Sequence, residues 1–240
     1  MDKRTVLVTG VSSGVGRHLS RQLVQKGVTV IGVARTEASL QELAEELKSG
    51  PGQFHYKKVD IANEAEVIEL FAWIEGNQKK IDVLINNAGV FNFATLTDGK
   101  LEEWKVVVDT IVTGYSIVTR EAVKSMKKHQ ISDGLIINIQ SVCAKVVLPM
   151  GAYMYSACEH ALDVLGSGLR HELQQQQLPI RISKINPSLI KTEKVANNPA
   201  YNQMPAVEMQ DVADCVVYLL GAPKHVEISD ITLRPINSPF

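Results

Sequence analysis

Residues 9–16 read Thr-Gly-Val-Ser-Ser-Gly-Val-Gly and follow the apolar run Val6-Leu7-Val8. A helical pattern over residues 14–26 begins within the same glycine-rich stretch. Glycines at a strand-to-helix turn let the backbone approach a pyrophosphate, and the free N–H groups at the helix start bind its charge. Glycines alone are weak support, but the flanking strand and helix supply the context that the motif requires. The stretch predicts the first turn of a dinucleotide-binding α/β domain.

Predicted strands and helices alternate along the rest of the chain. The further strands fall at residues 28–33, 54–59, 83–85, 135–139 and 180–185, and a further helix falls at residues 39–48. Several strands are apolar on both faces, which is typical of a parallel sheet covered by helices on both sides. The composition does not change along the chain. The sequence therefore predicts one α/β domain over residues 1–240, a doubly wound parallel sheet of the Rossmann type.

Residues 193–208 differ from this pattern. They contain Asn197-Asn198-Pro199 and Pro205 and show no clear hydrophobic period. The segment predicts a loop with little helix of its own. Two interpretations are equally compatible with it: a lid over the ligand crevice, or a disordered surface loop.

The overall composition excludes several classes of protein. Lys plus Arg number 25 against 26 for Asp plus Glu, so the net charge of −1 does not favour nucleic acid or an anionic membrane as partner. The three cysteines have no CxxC spacing, and His171-Glu172 lacks a second histidine at Gln175, so no metal site is predicted. The sequence contains no signal-peptide pattern and no apolar run of about 20 residues. We expect a soluble cytoplasmic protein.

The end of the second predicted strand indicates which dinucleotide binds. An acidic residue there accepts hydrogen bonds from a free ribose 2′-hydroxyl, whereas this chain has Ala34-Arg35-Thr36. A guanidinium pairs well with a 2′-phosphate, so NADP(H) is favoured over NAD(H). The alternative is that Arg35 is a solvated surface charge.

Five motifs in order resemble the classical short-chain dehydrogenases/reductases. They are the turn at residues 9–16, Asp60 after the third strand, Asn86-Asn87-Ala88-Gly89 after the fourth, Ser141 after the fifth, and Tyr155 in the following helix. Within that family, the chain most resembles the small NADP-dependent reductases that include insect farnesol dehydrogenases. The resemblance implies that Asp60 lies near the adenine, Asn87 near a ribose, and residues 187–192 over the nicotinamide. Ser188 stands where the family usually has glycine and is expected to crowd the carboxamide end.

The motifs and the resemblance together give the predicted cofactor-binding residues. They are Gly10, Ser12, Ser13, Gly14, Val15, Gly16, Arg35, Thr36, Asp60, Asn87, Ala88, Gly89, Tyr155, Pro187, Ile190 and Thr192.

The resemblance also implies a catalytic tetrad, and this chain keeps only half of it. Tyr155 would be the proton donor or acceptor, and Ser141 would polarise the carbonyl or alcohol. The lysine expected four residues after the tyrosine, on the same helix face, is replaced by Glu159. The asparagine expected in the preceding crossover helix is replaced by Ile111.

The negative charge of Glu159 in place of a lysine's positive charge predicts that Tyr155 is a poor catalytic base. A unit charge about 5 Å from the phenol, at an effective dielectric of about 20, is worth about 3 kcal/mol. Exchanging a cation for an ionised carboxylate therefore changes the stability of the phenolate by up to about 5 kcal/mol. Protonation of Glu159 would remove its repulsion of the phenolate, but it would not supply the stabilisation that a lysine gives. The alternative is that another lysine, such as Lys145, supplies the charge from a different direction.

The residues expected above the cofactor are apolar and suit a hydrophobic alcohol or aldehyde, a terpenoid or a steroid-like molecule. They are Val142, Cys143, Val146, Leu148, Met150, Met154, Leu189, Ile190 and Val195, although part of this set can equally fill the core. Three functions stay open: an NADP(H)-binding protein with weakened or lost hydride transfer, which is favoured, an active NADP-dependent oxidoreductase, and a non-enzymatic regulatory protein. By resemblance, helices around residues 104–127 and 155–174 pair subunits into a homodimer or homotetramer.

Overall fold

Seven parallel strands form one sheet in the computed structural model, which describes residues 4–77, 79–147 and 151–238. The strands are β1 (Thr5–Thr9), β2 (Thr29–Ala34), β3 (Gln53–Lys58), β4 (Val83–Asn86), β5 (Gly134–Ile139), β6 (Ile180–Pro187) and β7 (Asp230–Leu233). Their order is β3-β2-β1-β4-β5-β6-β7, and every neighbouring pair is parallel. The sheet confirms the predicted doubly wound fold.

Helices cover both faces of the sheet. They are α1 (Gly14–Gln25), α2 (Glu37–Leu47), α3 (Glu64–Gly76), α4 (Leu101–Val107), α5 (Tyr115–Lys128), α6 (Tyr153–Gln175), α7 (Glu193–Ala196) and α8 (Met209–Gly221). A π-helical turn, Val108–Gly114, joins α4 to α5, and a short 3₁₀ helix, Val142–Ala144, follows β5.

The central strands bury side chains on both faces, as their apolar runs predict. In β1, Val6 and Val8 belong to one apolar layer with α1 and α8, whereas Leu7 belongs to the other layer with α3 and α5. Because successive side chains of a strand point to opposite faces, this alternation requires helices on both sides of the sheet. The neighbouring strands β1 and β4 lie between these two apolar layers.

The segment at residues 193–208 contains only the four-residue α7 as regular helix. Its two ends are held close together by a parallel bridge between Ile190 and Val207 and by the hydrogen bond from Val207 N to Leu189 O, 2.9 Å long. The segment therefore leaves the end of β6 and returns to it, and its role as a lid stays a prediction.

The described part of the chain shows neither a membrane-spanning helix nor a cluster of metal ligands. No helix there combines the length and apolarity needed to cross a membrane. No group of three or more His, Cys, Asp or Glu side chains in residues 4–77, 79–147 and 151–238 is arranged to hold a metal ion.

Candidate functional site

A cleft of about 500 Å³ opens at the carboxyl ends of β1, β2 and β4. The connections after β1 and β4 leave the sheet in opposite directions here, and ligands of open α/β sheets bind at such a switch point. The cleft brings together the following predicted cofactor residues: Gly10, Ser12, Ser13, Val15, Arg35, Thr36, Asp60, Asn87, Ala88, Gly89, Tyr155, Ile190 and Thr192. Most of the residues that the sequence suggested for cofactor binding therefore line one cavity.

The glycine turn has no room for side chains where the backbone turns. Gly10 has φ of +74°, and a methyl group on it would lie 2.7 Å from the Cα of Ala88. A methyl group on Gly16 would lie 2.4 Å from the carbonyl oxygen of Gly10. Neither Gly14 nor Gly16 lines the cleft itself. Gly10 and Gly16 therefore allow the turn to pack against the start of α1 and against the segment after β4.

The segment after β4 is tied to the same turn by hydrogen bonds. The hydroxyl of Thr9 accepts from the backbone N–H groups of Asn87 and Ala88, at 2.9 Å and 3.0 Å. The side-chain amide of Asn87 donates to the carbonyl oxygens of Thr9 and Gly10, at 2.9 Å and 3.2 Å. These bonds fix both walls of the cleft relative to each other, and they use the amide of Asn87 for the turn.

The outer end of the cleft carries unpaired positive charge. Arg35 is exposed, lines the cleft and forms no hydrogen bond or ion pair within the described residues. The first turn of α1 contains no acidic residue, so its N–H groups face no competing carboxylate. Asp60, which also lines the cleft, accepts a hydrogen bond from the N–H of Ala62 at 3.0 Å. This end is suited to a phosphorylated ligand.

Tyr155, Ser141 and Glu159 lie together at the inner end of the site. Ser141 precedes the 3₁₀ helix, and its hydroxyl accepts from the N–H of Cys143 at 3.2 Å. Hydrogen bonding to Ser141 acts to lower the pKa of Tyr155, and hydrogen bonding to the backbone of Ser141 acts to lower that of Glu159. The ring of Phe91 packs edge-on against Tyr155, with ring centres 4.9 Å apart. Ser141 itself does not line the cleft.

Glu159 is an acid buried in the wall of the cleft. Its side chain belongs to a residue that is only 4% exposed, and its Oε2 atom has no hydrogen-bond partner within the described residues. Burial raises its pKa to about 8, although hydrogen bonding to Tyr155 and to the backbone of Ser141 opposes that rise. At neutral pH the carboxyl is therefore mainly protonated.

Among the described residues, no cation acts on the Tyr155 phenol in place of the expected lysine. Burial and then the charge of Glu159 raise the pKa of the Tyr155 phenol well above its ordinary value, and none of the groups that shift it is a cation. Lys145, the alternative that the sequence left open, pairs with Asp230 at 2.7 Å and does not line the cleft. Lys145 therefore does not supply the charge in this structure.

Ile111 lies in the π-helical turn and contacts the same cleft. It is 1% exposed and belongs to the apolar layer that includes Tyr115 and Val118. π-Helical turns are rare and often mark functional positions. Here the turn presents an apolar side chain, so residue 111 offers no amide to hold a water molecule.

The predicted substrate residues are dispersed. Val142 and Cys143 are buried, whereas Leu189 and Val195 are half-buried, and none of the four lines the cleft. Val146 and Met154 are also half-buried and do not line the cleft. Leu148 and Met150 lie outside the described residues. Among the cofactor candidates, Pro187 ends β6 as a buried residue, and the neighbouring Ser188 is 8% exposed and does not line the cleft either.

Three aromatic residues near Tyr155 were missed by the sequence analysis. Phe91 contacts the ring of Phe93 at 4.8 Å between ring centres, and Phe93 stacks on Tyr201 at 6.2 Å. Phe91 and Phe93 are 41% and 47% exposed, which is unusual for such apolar side chains. Their position directly after Asn86-Asn87-Ala88-Gly89 was the available signal. We call Phe91, Phe93 and Tyr201 the aromatic row.

A switch-point cleft with a glycine turn, a free arginine and an adjacent serine–tyrosine pair defines a dinucleotide-binding protein of the dehydrogenase class. The family described as short chain dehydrogenase matches residues 4–203. The chain belongs to the short-chain dehydrogenase family.

Relatives of known name support this assignment over the whole chain. Human dehydrogenase/reductase SDR family member 11 is 39% identical over 97% of this chain and 94% of its own length. The farnesol dehydrogenase of Aedes aegypti is 30% identical over 99% of this chain and 98% of its own length. The closed form of serine dehydrogenase complexed with NADP+ is a structural neighbour with a TM-score of 0.88 and 27% identity, covering 98% of this chain and 96% of that one.

Proposed function

We propose that this protein binds NADP(H) together with a small hydrophobic ligand, and that its hydride-transfer activity is severely weakened or lost. The observation that carries the proposal is Glu159, a buried acid at the position where the family resemblance implies a lysine. The fold and the outer end of the cleft are retained, and the change is confined to the chemical end.

The cleft fits the cofactor. Gly10 and Gly16 leave the close approach that a pyrophosphate requires, and the start of α1 directs N–H groups toward it. Arg35 would pair with the 2′-phosphate, Asp60 and Thr36 line the adenine end, and Asn87, Ile190 and Thr192 line the other half. When bound, this cofactor donates or accepts a hydride. The serine dehydrogenase neighbour solved with NADP+ supports the same choice.

The inner end of the cleft opposes proton transfer in the oxidation direction. Oxidation of an alcohol needs a phenolate at Tyr155, and both burial and Glu159 disfavour that charge. A lysine would stabilise the phenolate by about 3 kcal/mol, and a protonated Glu159 supplies none of this. Ile111 removes the polar group that would return a proton to the tyrosine. We therefore expect alcohol oxidation to be the more strongly impaired direction.

A slow carbonyl reductase is the second candidate, because the raised pKa keeps Tyr155 as the neutral phenol that reduction needs. Ser141 lies close enough to that phenol to act on its pKa, so both groups can orient a carbonyl oxygen. After the phenol gives up its proton, the protonated carboxyl of Glu159 lies beside it and can replace the proton. This candidate predicts measurable reduction of lipophilic aldehydes or ketones that Tyr155→Phe abolishes.

The protein is also expected to form a homo-oligomer. Val164 and Leu165 on α6 are 74% and 43% exposed, and methyl groups added at Gly166 and Gly168 would meet nothing within 4 Å. An exposed apolar stretch on a long helix, with small residues that allow close approach, is suited to packing against a second copy.

Titration calorimetry with NADPH and with NADH, followed by turnover assays, tests the proposal. Binding of NADPH in preference to NADH, without turnover of lipophilic alcohols and with at most slow reduction of lipophilic carbonyls, is the expected result. Turnover at ordinary enzymatic rates that Tyr155→Phe abolishes would overturn the proposal that hydride transfer is weakened or lost. Absence of NADPH binding would overturn the proposal and leave a non-enzymatic interaction protein.

A further inference from the structure

We propose that the Tyr155 end of the cleft binds a small primary amine with an apolar tail, whose ammonium group pairs with the carboxylate of Glu159. The inference deepens the proposed function because it names a ligand class for the same cleft. Its test does not require the cofactor, so the two proposals can fail separately.

The first observation is the unpartnered oxygen. Glu159 lines the cleft, is 4% exposed, and has no hydrogen-bond partner at Oε2 within the described residues. A buried polar atom without a partner costs free energy, and a ligand that donates to it recovers that cost. Once ionised, the carboxylate only accepts hydrogen bonds and therefore selects a donor, and its charge selects a cationic donor over a neutral one.

The second observation is the sign of the surrounding charges. The titratable groups that interact with Glu159 are Tyr155, Cys158 and Asp163 on α6, Cys143 on the 3₁₀ helix and Tyr115 on α5. None of them carries positive charge. Lys184, the nearby cation that contacts Asp163, is also paired with Asp230 at 3.3 Å. Arg35 and Lys194 also line the cleft but are not among the groups that interact with Glu159, so within the described residues no cation pairs with it.

The third observation is the composition of the walls. The rings of Phe91, Tyr115 and Tyr155 line the same cleft as Glu159, and Ile111 adds an apolar surface. Aromatic faces attract ammonium groups, and a desolvated carboxylate strengthens that attraction. The aromatic row continues from Phe91 through exposed Phe93 to Tyr201, which provides a surface for an apolar tail.

Ionisation of Glu159 gives the pairing a measurable signature. An alkylamine enters as the ammonium ion, because its pKa is close to that of lysine, about 10.4. Free Glu159 is mainly protonated at pH 7, since burial raises its pKa to about 8. Pairing with the ammonium lowers that pKa, so a proton leaves the protein on binding. The affinity for an amine should therefore rise between pH 6 and pH 8 and level off above the pKa of free Glu159.

The experiment compares hexylamine with hexanol by titration calorimetry. The native protein should bind hexylamine about tenfold or more tightly than hexanol at pH 8, the range that a hydrogen-bonded charge pair supplies. At pH 7, heats measured in two buffers of different ionisation enthalpy should show release of up to about one proton with hexylamine and none with hexanol.

Glu159→Gln keeps the shape of the side chain and removes its charge, so it should abolish both the preference and the proton release. Glu172→Gln, an exposed position on the same helix, is the matched control and should change neither. Equal binding of the two ligands by the native protein, no binding of hexylamine, or a preference retained in Glu159→Gln would overturn the inference. The comparison on the native protein decides the question even where a variant does not fold. NADPH binding, measured separately, reports on the proposed function alone.

Discussion

Glu159→Lys is expected to lower the pKa of the Tyr155 phenol by about two units relative to a protein with a neutral side chain at residue 159. Free Glu159, with a pKa of about 8, is about nine-tenths protonated at pH 7, so the substitution replaces a neutral acid with a cation. One unit charge about 5 Å from the phenol, at an effective dielectric of about 20, is worth about 3 kcal/mol, or about two pKa units. In the native protein the phenol titrates above pH 8, where Glu159 is ionised, so the full change from carboxylate to ammonium is larger, up to about 5 kcal/mol.

Ultraviolet titration of the phenolate measures this change directly, without relying on turnover. The chain has six tyrosines, so the curve for Tyr155 is the difference between Glu159→Lys and the same protein carrying Tyr155→Phe as well. Glu159→Gln is the neutral control and should give about half of the change seen in Glu159→Lys, because it removes the carboxylate charge that raises the phenol pKa without supplying a cation. Reduction of a lipophilic aldehyde by NADPH should become faster in Glu159→Lys, and faster again when Ile111→Asn is added.

Two results would refute this reasoning. The first is an unchanged phenol pKa in a Glu159→Lys protein that is folded by circular dichroism, since the charge would then have no influence on the phenol. The second is an equal gain of activity in Glu159→Gln and Glu159→Lys. Removal of the acidic side chain, rather than the addition of a cation, would then be the cause of the gain.

Four further predictions concern stability, specificity and assembly. In the native protein, the free energy of unfolding should fall by about 1.4 kcal/mol per pH unit as the pH rises from the unfolded Glu159 pKa of 4.5 to its folded pKa of about 8, because the native state holds a proton that the unfolded state releases. Glu159→Gln should remove this pH dependence, as measured by urea denaturation. Ile111→Asn alone should destabilise the fold by about 2 to 4 kcal/mol, because it places an amide at a position only 1% exposed, and it should not restore activity; an unchanged melting midpoint would contradict this. Arg35→Ala should weaken NADPH binding by about ten- to a hundredfold and leave NADH binding nearly unchanged; equal losses for both would show that Arg35 does not contact a 2′-phosphate. Val164→Asp should convert the oligomer into monomer in sedimentation experiments, whereas an unchanged mass would place the contact elsewhere.

The sheet and the cleft could be predicted from the sequence because they depend on local patterns. The predicted ends of strands and helices at residues 28–33, 135–139 and 14–26 fall within two residues of those in the structure. Hydrophobic runs and glycine positions are recorded directly in the sequence. The substituted positions, Glu159 and Ile111, could be located as well, because the resemblance to the family implies where the lysine and the asparagine should stand.

Features that depend on contacts between distant segments could not be predicted. The short strand β7, at Asp230–Leu233, has only four residues and two of them are exposed, so it has no distinctive apolar run. Lys145 is 85 residues from its partner Asp230, and no local pattern connects them. The protonation of Glu159 depends on how completely it is buried, which spacing along a helix does not report. The aromatic row joins Phe93 to a loop more than a hundred residues later.

The protonation state of Glu159 depends on the apolar surroundings that Ile111 helps to provide, so the two positions should be tested together. Glu159 stays neutral because its surroundings are dry, and Ile111 contributes to that dryness as an apolar side chain in the same cleft. A lysine in the same dry wall would itself lose charge, since burial disfavours the ammonium form. Glu159→Lys alone should therefore recover less than the full 3 kcal/mol or so of phenolate stabilisation, and Ile111→Asn alone should recover none. A double-mutant cycle on the phenol pKa should show a coupling of about 0.5 kcal/mol or more, and additive effects would mean that Ile111 does not control the environment of residue 159.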